Sequence, residues 1–181
     1  MSKVIGLIRS EAYHNHTLPD MIKQLNRVLY SDSSFMLVTL GLVLVDKESD
    51  TLTYASAGHV SPYLIKEGRV ETIPSSSFPI GVDSDIKPFI ETMPVRPDDT
   101  FVLYTDGIIE VRNSMEEMYG FERLELILKA GASMNASAED LQSLILSDVK
   151  TFADQGANQD DMTLVVIKLT GYYRRDQKRD S

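Results

Sequence analysis

The sequence contains no cysteine, which excludes a disulfide framework, a zinc ribbon and a thiol nucleophile. Basic residues are also scarce, since 18 lysines and arginines stand against 27 aspartates and glutamates, giving a formal net charge of −9. A nucleic-acid-binding domain normally carries a basic surface, so this balance argues against DNA or RNA as a partner. An acidic surface favours solubility and an affinity for cations. The lack of cysteine fits a reducing, cytoplasmic compartment.

Long hydrophobic runs are absent as well. The longest near-continuous apolar stretch is 35–45, well short of the roughly 18 apolar residues that indicate a membrane-spanning helix. The N-terminus has no basic region followed by an apolar stretch, which argues against a signal peptide. We therefore expect no membrane insertion. The 181 residues, 43% hydrophobic and 25% charged, are typical of one globular domain with a substantial core.

Apolar spacing divides the chain into helical and extended parts. It predicts a helix over residues 1–12 and a second helix after Thr17, where Thr-Leu-Pro-Asp has the pattern of a capping box. The apolar run 35–45 predicts a central strand covered on both faces. Further strands are predicted over 51–56, 63–65, 70–73, 89–95, 101–104 and 162–169.

Two further helices are predicted before the last strand. The first is expected to stop at Gly131 and the second to begin after Ser137. Runs of strands beside runs of helices indicate an α+β fold with antiparallel layers rather than a βαβ alternation. We predict one domain over residues 1–171 and a polar, basic tail over 172–181, which we interpret as a solvated end.

Acidic residues stand at the ends of two predicted strands. Asp106 follows the strand 101–104, and Gly107 after it would let the backbone turn without a side chain in the way. Asp160 and Asp161 directly precede the closing strand, and adjacent strand residues point to opposite faces, so only one of them can aim at a given site. Oxygen ligands of this kind suit Mg²⁺ or Mn²⁺. Ordinary turn capping explains the same residues, and both interpretations stay open at this point.

The three histidines are weaker signals. His14 and His16 lie in a loop between two predicted helices, and we interpret them as solvated. Their His-Asn-His pattern is shared with a class of nucleases, but the basic patch that such an enzyme needs is missing. His59 ends a strand in the segment Ala-Gly-His, where a hydrogen-bonded loop residue is the simpler interpretation. The sequence contains neither the Gly-x-Ser-x-Gly pattern of serine hydrolases nor a phosphate-binding P-loop.

Five segments, in the same order, resemble the motifs of the SpoIIE/RsbU-type branch of the PPM family, the Mg/Mn-dependent protein serine/threonine phosphatases. The segments are 53–64 with Ala-Gly-His, 78–82 with Pro-Ile-Gly, 99–110 with Thr-Asp-Gly, 119–124 with Tyr-Gly-x-x-Arg-Leu, and 159–164 with Asp-Asp-Met-Thr. The resemblance extends over about residues 1–169. It implies an αββα fold, in which a pair of antiparallel sheets packs between helices.

The resemblance also implies a site for two divalent ions, Mn²⁺ or Mg²⁺, at one edge of the sandwich. Asp106 and Asp160 would ligate the second of these metals, and Asp161 falls on a position of lesser importance. Gly107 would shape the turn that presents Asp106.

The remaining implications concern the rim of the site and the reaction. Gly58 and His59 lie in the loop that borders the metals in related branches, which implies a supporting role. The reaction would be hydrolysis by a metal-activated water that attacks phosphorus in line, with no side chain acting as nucleophile. The usual substrate is a phosphoserine or phosphothreonine on an anti-sigma-factor antagonist. Such substrates connect the family to signal transduction and sigma-factor regulation.

One departure from the family pattern affects the metal site. The first two motifs, a Gly-Asp strand and an Asp-x-Ser-Gly-His-Gly turn, have no counterpart in these 181 residues, so the aspartate that would bridge both metals is missing. We therefore expect little or no phosphatase activity from this chain alone. Three explanations stay open: an N-terminally truncated piece of a phosphatase, a non-catalytic pseudophosphatase that binds partners, or a second chain that completes the site. The missing strands would also leave an unpaired sheet edge, which favours a homodimer.

Overall fold

The computed structural model describes residues 2–13, 17–31, 37–153 and 161–171. These residues form two antiparallel sheets and five helices. The strands are β1 (Leu40–Asp46), β2 (Thr51–Ala57), β3 (Tyr63–Lys66), β4 (Arg69–Thr72), β5 (Phe89–Pro94), β6 (Thr100–Tyr104) and β7 (Leu164–Lys168), and the helices are α1 (Ser2–Tyr13), α2 (Leu18–Tyr30), α3 (Asp106–Ile109), α4 (Gly120–Ser133) and α5 (Ala138–Ala153). None of the helices in these ranges is long and apolar enough to cross a membrane.

The two sheets pack face to face between two helical layers. The first sheet has the strand order β1-β2-β5 and the second β4-β3-β6-β7. Leu52 and Tyr54 of β2 meet Phe101 of β6 in the core between the sheets. On the outer faces, Ala55 packs with α2 and Val102 packs with α4 and α5. The predicted α+β architecture, an antiparallel sandwich flanked by helices, is therefore confirmed.

The second helix begins where the capping pattern predicts. Thr17 has extended backbone and its hydroxyl accepts a hydrogen bond from the backbone N–H of Asp20. This bond satisfies one of the free amides at the start of α2. The helix then buries Ile22 and Leu25 against the first sheet.

The prediction of a central strand over 35–45 is wrong in its position in the sheet. The strand starts at Leu40, and among the described strands it lies at the edge of the first sheet and pairs only with β2. Leu44 is 53% exposed, so one face of the strand is only partly covered. Residues 35 and 36 lie outside the described part of the chain. A continuous apolar run indicates burial, but it does not tell an edge strand from a central one.

Gly131 does not end its helix, contrary to the prediction. The helix α4 continues to Ser133, and Gly131 is buried inside its last turn. A side chain at this position would collide with the Leu141 side chain of α5. Close packing between α4 and α5, rather than helix termination, is therefore the reason for a glycine here.

A charged cluster joins α4 to α5. The Arg123 guanidinium donates two hydrogen bonds to the Asp148 carboxylate, at 2.8 and 3.0 Å, and the Tyr119 hydroxyl donates a third at 2.8 Å. The same guanidinium lies 4.9 Å from the ring centre of Phe152. The hydrogen bonds from Arg123 hold the pKa of Asp148 below its ordinary value of 3.8. The arginine of the Tyr-Gly-x-x-Arg-Leu segment thus connects two helices and the loop before them.

We expect Asp148→Asn to lower the free energy of unfolding by about 2 kcal/mol at neutral pH, because charge-assisted hydrogen bonds are lost. The pKa of Asp148 is lower in the folded chain than in the unfolded one. The contribution of Asp148 to the free energy of unfolding is therefore present above the unfolded-state pKa of about 4. It is lost as the pH falls through the folded-state pKa. Urea unfolding of the wild type and the variant from about pH 3 to 7 measures this difference. The exposed Asp85→Asn serves as the control, and an identical pH dependence in the Asp148 variant and the wild type would contradict the assignment.

Candidate metal centre

Asp106 lies where β6 leaves the second sheet. The strand ends at Tyr104, and Asp106 opens the single helical turn α3, which the sequence patterns do not predict. The carboxylate is exposed. One of its oxygens, Oδ1, accepts a hydrogen bond of 3.1 Å from the backbone N–H of Gly107. The residue therefore stands at an open edge of the sandwich with its carboxylate held by the chain itself.

Two hydrogen bonds bring the segment before β7 to the same edge. The Thr105 N–H donates to the Thr163 carbonyl, and the Thr163 N–H donates to the Thr105 hydroxyl, both at 3.0 Å. They continue the β6–β7 pairing by one step beyond Tyr104 and Leu164. Residues 161–163 consequently run beside the start of α3.

Gly107 allows this close approach. A Cβ atom placed on it would lie 2.5 Å from the backbone carbonyl oxygen of Asp161. Only a residue without a side chain fits such a gap between two backbone segments. The role expected from the sequence was to turn the backbone after Asp106. The structure adds the contact with Asp161 as a second reason for the glycine.

Only one residue of the acidic pair 160–161 lies in the described part of the chain. Asp161 is described and exposed, whereas Asp160 lies outside the described residues, as do His14 and His16. The ligand assignments of Asp106 and Asp160 therefore stay predictions. Within the ranges that are described, no group of three or more histidine, aspartate or glutamate side chains is arranged to hold a metal ion.

His59 and Gly58 lie in the loop after β2, in the first sheet. The His59 ring nitrogen Nδ1 lies 2.9 Å from the Val60 carbonyl oxygen, and its backbone N–H donates to the Ser56 hydroxyl. Gly58 has a positive φ of 69° and packs against Pro79. These contacts keep His59 in its own loop and do not join it to Asp106, so a supporting role for either residue stays a prediction.

Serines 75 and 77, which the sequence reasoning assigned only to a surface loop, hold the Ala-Gly-His segment. The Ser77 hydroxyl accepts from the Gly58 N–H at 3.0 Å and donates to the Ser56 carbonyl at 2.9 Å. The Ser75 hydroxyl donates to the His59 carbonyl at 3.2 Å. The run of three serines before Phe78 is the signal that could have indicated this function.

Asn26 of α2 is a second residue that the sequence analysis missed. Its side chain is only 1% exposed. It accepts from the Gly81 N–H at 2.9 Å and donates to the Asp83 carbonyl at 2.8 Å. A buried amide on an apolar helix face needs partners of this kind, and here it ties the Pro-Ile-Gly segment to the helix.

Comparisons with known proteins agree on one family. The family model of Stage II sporulation protein E (SpoIIE) matches residues 1–170. Protein IcfG of Synechocystis sp. (strain ATCC 27184 / PCC 6803 / Kazusa) is 25% identical over 133 residues, which cover 73% of this chain and 20% of IcfG. The chain spans a fifth or less of the length of the curated relatives that it matches.

Solved structures show the same fold. The SiaA-PP2C domain of Pseudomonas aeruginosa is 20% identical with a TM-score of 0.77, and the match covers 92% of this chain and 67% of that one. The phosphatase domain of SpoIIE from Bacillus subtilis, presoaked with Mn, is 17% identical with a TM-score of 0.61 and coverages of 95% and 76%.

Proposed function

Because the chain belongs to the SpoIIE family of PPM-type phosphatase domains, we propose that it forms part of a metal-dependent protein serine/threonine phosphatase. The family branch that the five motifs predicted is confirmed. The proposed substrate is a phosphoserine or phosphothreonine on a regulatory protein of the anti-sigma-factor antagonist type. A substrate that controls transcription would meet the enzyme in the cytoplasm, which is the location that we propose.

One observation supports this function: the end of β6 and the segment before β7 lie side by side at the same edge of the sandwich. The paired hydrogen bonds of Thr105 and Thr163 and the contact of Gly107 with Asp161 hold this edge together. Asp106 projects there. Asp160 is the sequence neighbour of Asp161, which supports its assignment as the second carboxylate.

The donors at this edge fit a hard divalent cation. Carboxylate and carbonyl oxygens are the ligands that Mg²⁺ and Mn²⁺ prefer. Asp106 is exposed, so its carboxylate can reach an ion without leaving a buried partner. The Mn-presoaked relative supports manganese as the first ion to test.

Bound divalent ions of this class lower the pKa of a water and neutralise the charge of a phosphate group. The contribution of this chain is to orient the Asp106 carboxylate through the Gly107 amide. Burial raises the pKa of the Tyr104 phenol, two residues earlier, above its ordinary value. In the proposed reaction the proton chemistry belongs to water and to the substrate, with Asp106 as an ion ligand.

A second candidate function is a non-catalytic module that binds the partners of the phosphatase. It would apply if the complete polypeptide, like these 181 residues, has no counterpart of the aspartate that bridges both metals in the family. A single pair of carboxylates would hold Mn²⁺ weakly and would not assemble a two-metal centre. Both candidate functions assign Asp106 as an ion ligand. They differ in whether the protein hydrolyses a phosphorylated substrate.

The test combines Mn²⁺ binding with hydrolysis of p-nitrophenyl phosphate and a phosphoserine protein. We expect Mn²⁺ to raise the stability of residues 1–181, by about 1.4 kcal/mol at tenfold excess over Kd. Asp106→Ala should abolish this gain, and Asp85→Ala, an exposed aspartate away from the edge, should keep it. Turnover by the 181-residue chain should be close to background in every case.

The remaining outcomes decide between the candidates. Full hydrolysis by residues 1–181 that is lost in Asp106→Ala would contradict the expected inactivity and establish the phosphatase. Activity that appears only when the polypeptide is extended upstream in its reading frame would support the phosphatase. The upstream segment would then supply the metal ligands that residues 1–181 lack. A Mn²⁺-dependent stability gain that persists in Asp106→Ala would overturn the metal assignment.

A further inference from the structure

A short hairpin follows the candidate metal centre directly. Residues 111–119, here called the 111–119 hairpin, leave α3 and return to the start of α4. The Tyr119 N–H donates to the Val111 carbonyl at 2.8 Å, and the Asn113 N–H donates to the Glu117 carbonyl at 3.1 Å. Val111 and Tyr119 are buried in the same core as Ile108 of α3. The base of the hairpin and the helix that begins at Asp106 therefore form one packed unit.

The tip of the hairpin is held in one conformation. The Asn113 side-chain oxygen accepts hydrogen bonds of 3.0 Å from the backbone N–H groups of Met115 and Glu117. The Asn113 amide donates to the Glu117 carboxylate at 2.8 Å, and Arg112 donates to the Glu116 carbonyl at 2.7 Å. A tip with this many internal bonds is ordered before it meets a partner, which reduces the entropy cost of binding.

This ordered tip carries apolar side chains into solvent. Met115 is 72% exposed and Met118 is 47% exposed, and Phe121 in the first turn of α4 is 52% exposed. Methionine and aromatic side chains are enriched at protein interfaces, and methionine adapts its shape to a partner. None of these three side chains is needed to close the core.

The charge around the tip is negative. Four exposed glutamates lie in or beside the hairpin: Glu110, Glu116, Glu117 and Glu122. The two cations of this stretch are already engaged, since Arg112 lies 3.9 Å from Glu116 and Arg123 pairs with Asp148. Such a surface fits a partner with an apolar patch bordered by basic side chains. It disfavours a second copy of this chain, whose net charge is −9.

The hairpin is near enough to Asp106 for one partner to cover both. The turn of α3 and the five residues from Val111 to Met115 place the tip within about 25 Å of Asp106. An interface of standard size covers about 800 Å² on each partner, a patch about 30 Å across. A protein whose phosphorylated residue lies at the candidate metal centre beside Asp106 would therefore also contact the tip.

We propose that the 111–119 hairpin is the docking surface for the phosphoprotein substrate, which it binds through Met115, Met118 and Phe121. This inference rests on the proposed function and adds the chemistry of the partner. The docking face of the partner carries an apolar patch with lysine or arginine side chains around it. Docking holds the partner while its phosphorylated residue lies at the metal centre.

Binding measurements with defined variants test this proposal. The probes are the purified anti-sigma-factor antagonists of the source organism, each phosphorylated on serine or threonine, and affinities are measured by calorimetry at low and high salt. We expect Met115→Glu to weaken binding at least about tenfold, the effect of losing one interface hot spot. Met134→Glu makes the same change at the far end of α4, where the methionine is 64% exposed, and as a control it should leave the affinity within about twofold.

The salt dependence gives a second readout. Binding to the wild type should weaken as salt rises, and the double variant Glu110→Gln/Glu122→Gln should reduce that dependence. Equal affinities of the wild type and Met115→Glu for a bound antagonist would overturn the docking surface and leave the proposed function standing. Failure of every antagonist to bind the wild type would overturn the substrate class and the docking surface together. A concentration-dependent dimer that Met115→Glu disrupts would overturn the proposal in favour of a second copy.

Discussion

Gly107→Ala is expected to lower the free energy of unfolding by about 3 kcal/mol and to abolish Mn²⁺-dependent stabilisation. The added Cβ would lie 2.5 Å from the Asp161 carbonyl oxygen, about 0.9 Å inside ordinary contact. The backbone fixes the position of the Cβ atom, and the carbonyl oxygen is itself part of the backbone, so neither atom can rotate away. Separation of the two segments would break the hydrogen bonds between Thr105 and Thr163, each 3.0 Å long. Thermal unfolding should show a melting temperature lower by about 6–12 °C.

Gly6→Ala is the matched control for this prediction. Gly6 lies in α1, and a Cβ there meets no atom within 4 Å. Alanine should therefore stabilise the helix by about 0.5–1 kcal/mol. If Gly107→Ala unfolded at the wild-type temperature and bound Mn²⁺ normally, the close approach of Asp161 would have no role in the site.

Gly58→Ala is expected to cost about 3–4 kcal/mol, because it combines backbone strain with a steric clash. Gly58 has a φ of 69°, and its new Cβ would lie 2.7 Å from the Pro79 ring and 2.8 Å from the Pro79 nitrogen. Relief of the clash would pull the loop away from Ser77, which binds the Gly58 amide. Guanidinium unfolding with a two-state fit measures the loss.

Gly68→Ala separates the two causes. Gly68, in the turn between β3 and β4, has a similar φ of 75°, but nothing lies within 4 Å of the position of a Cβ. Its variant should lose only the conformational part, about 1–2 kcal/mol. Equal losses in Gly58→Ala and Gly68→Ala would show that the contact with Pro79 adds nothing.

Local chemistry explains which elements could be predicted. Thr17 is a cap with its partner three residues away, and Glu67 and Gly68 have the positive φ values that a tight hairpin turn needs. Such signals are complete within a few residues. The α+β class with antiparallel layers also followed from the order of strands and helices along the chain, whereas the αββα layering followed from the family resemblance.

Distant contacts explain the errors. The buried Gly131 has the same sequence appearance as a helix stop, and only the position of Leu141 on α5 distinguishes the two. The edge position of β1 depends on which strands lie beside it. An apolar run in the sequence predicts burial, but it does not predict the number of neighbouring strands. The same holds for Asn26, whose partners at Gly81 and Asp83 are more than fifty residues away.

Some features of the candidate site could be predicted from local sequence, and others depend on distant contacts. The resemblance to a family pointed to Asp106 and Gly107, and the turn chemistry of Asp-Gly supported them. The reason that position 107 tolerates no side chain is a carbonyl oxygen from residue 161. The hydrogen bonds of Ser75 and Ser77 to the Ala-Gly-His loop also became visible only when the chain was folded.

The pairing of Thr105 with Thr163 has a consequence for how the chain folds. The two residues are 58 positions apart, and closing a loop of that length costs about 1.5 kcal/mol more chain entropy than closing one of ten residues. The helices α4 and α5 lie between them and contact each other, and α5 also contacts β7. Once this helical pair has formed, it shortens the effective loop and carries β7 back to β6. We therefore expect the edge that holds Asp106 to assemble late in folding, after α4 and α5 have packed together.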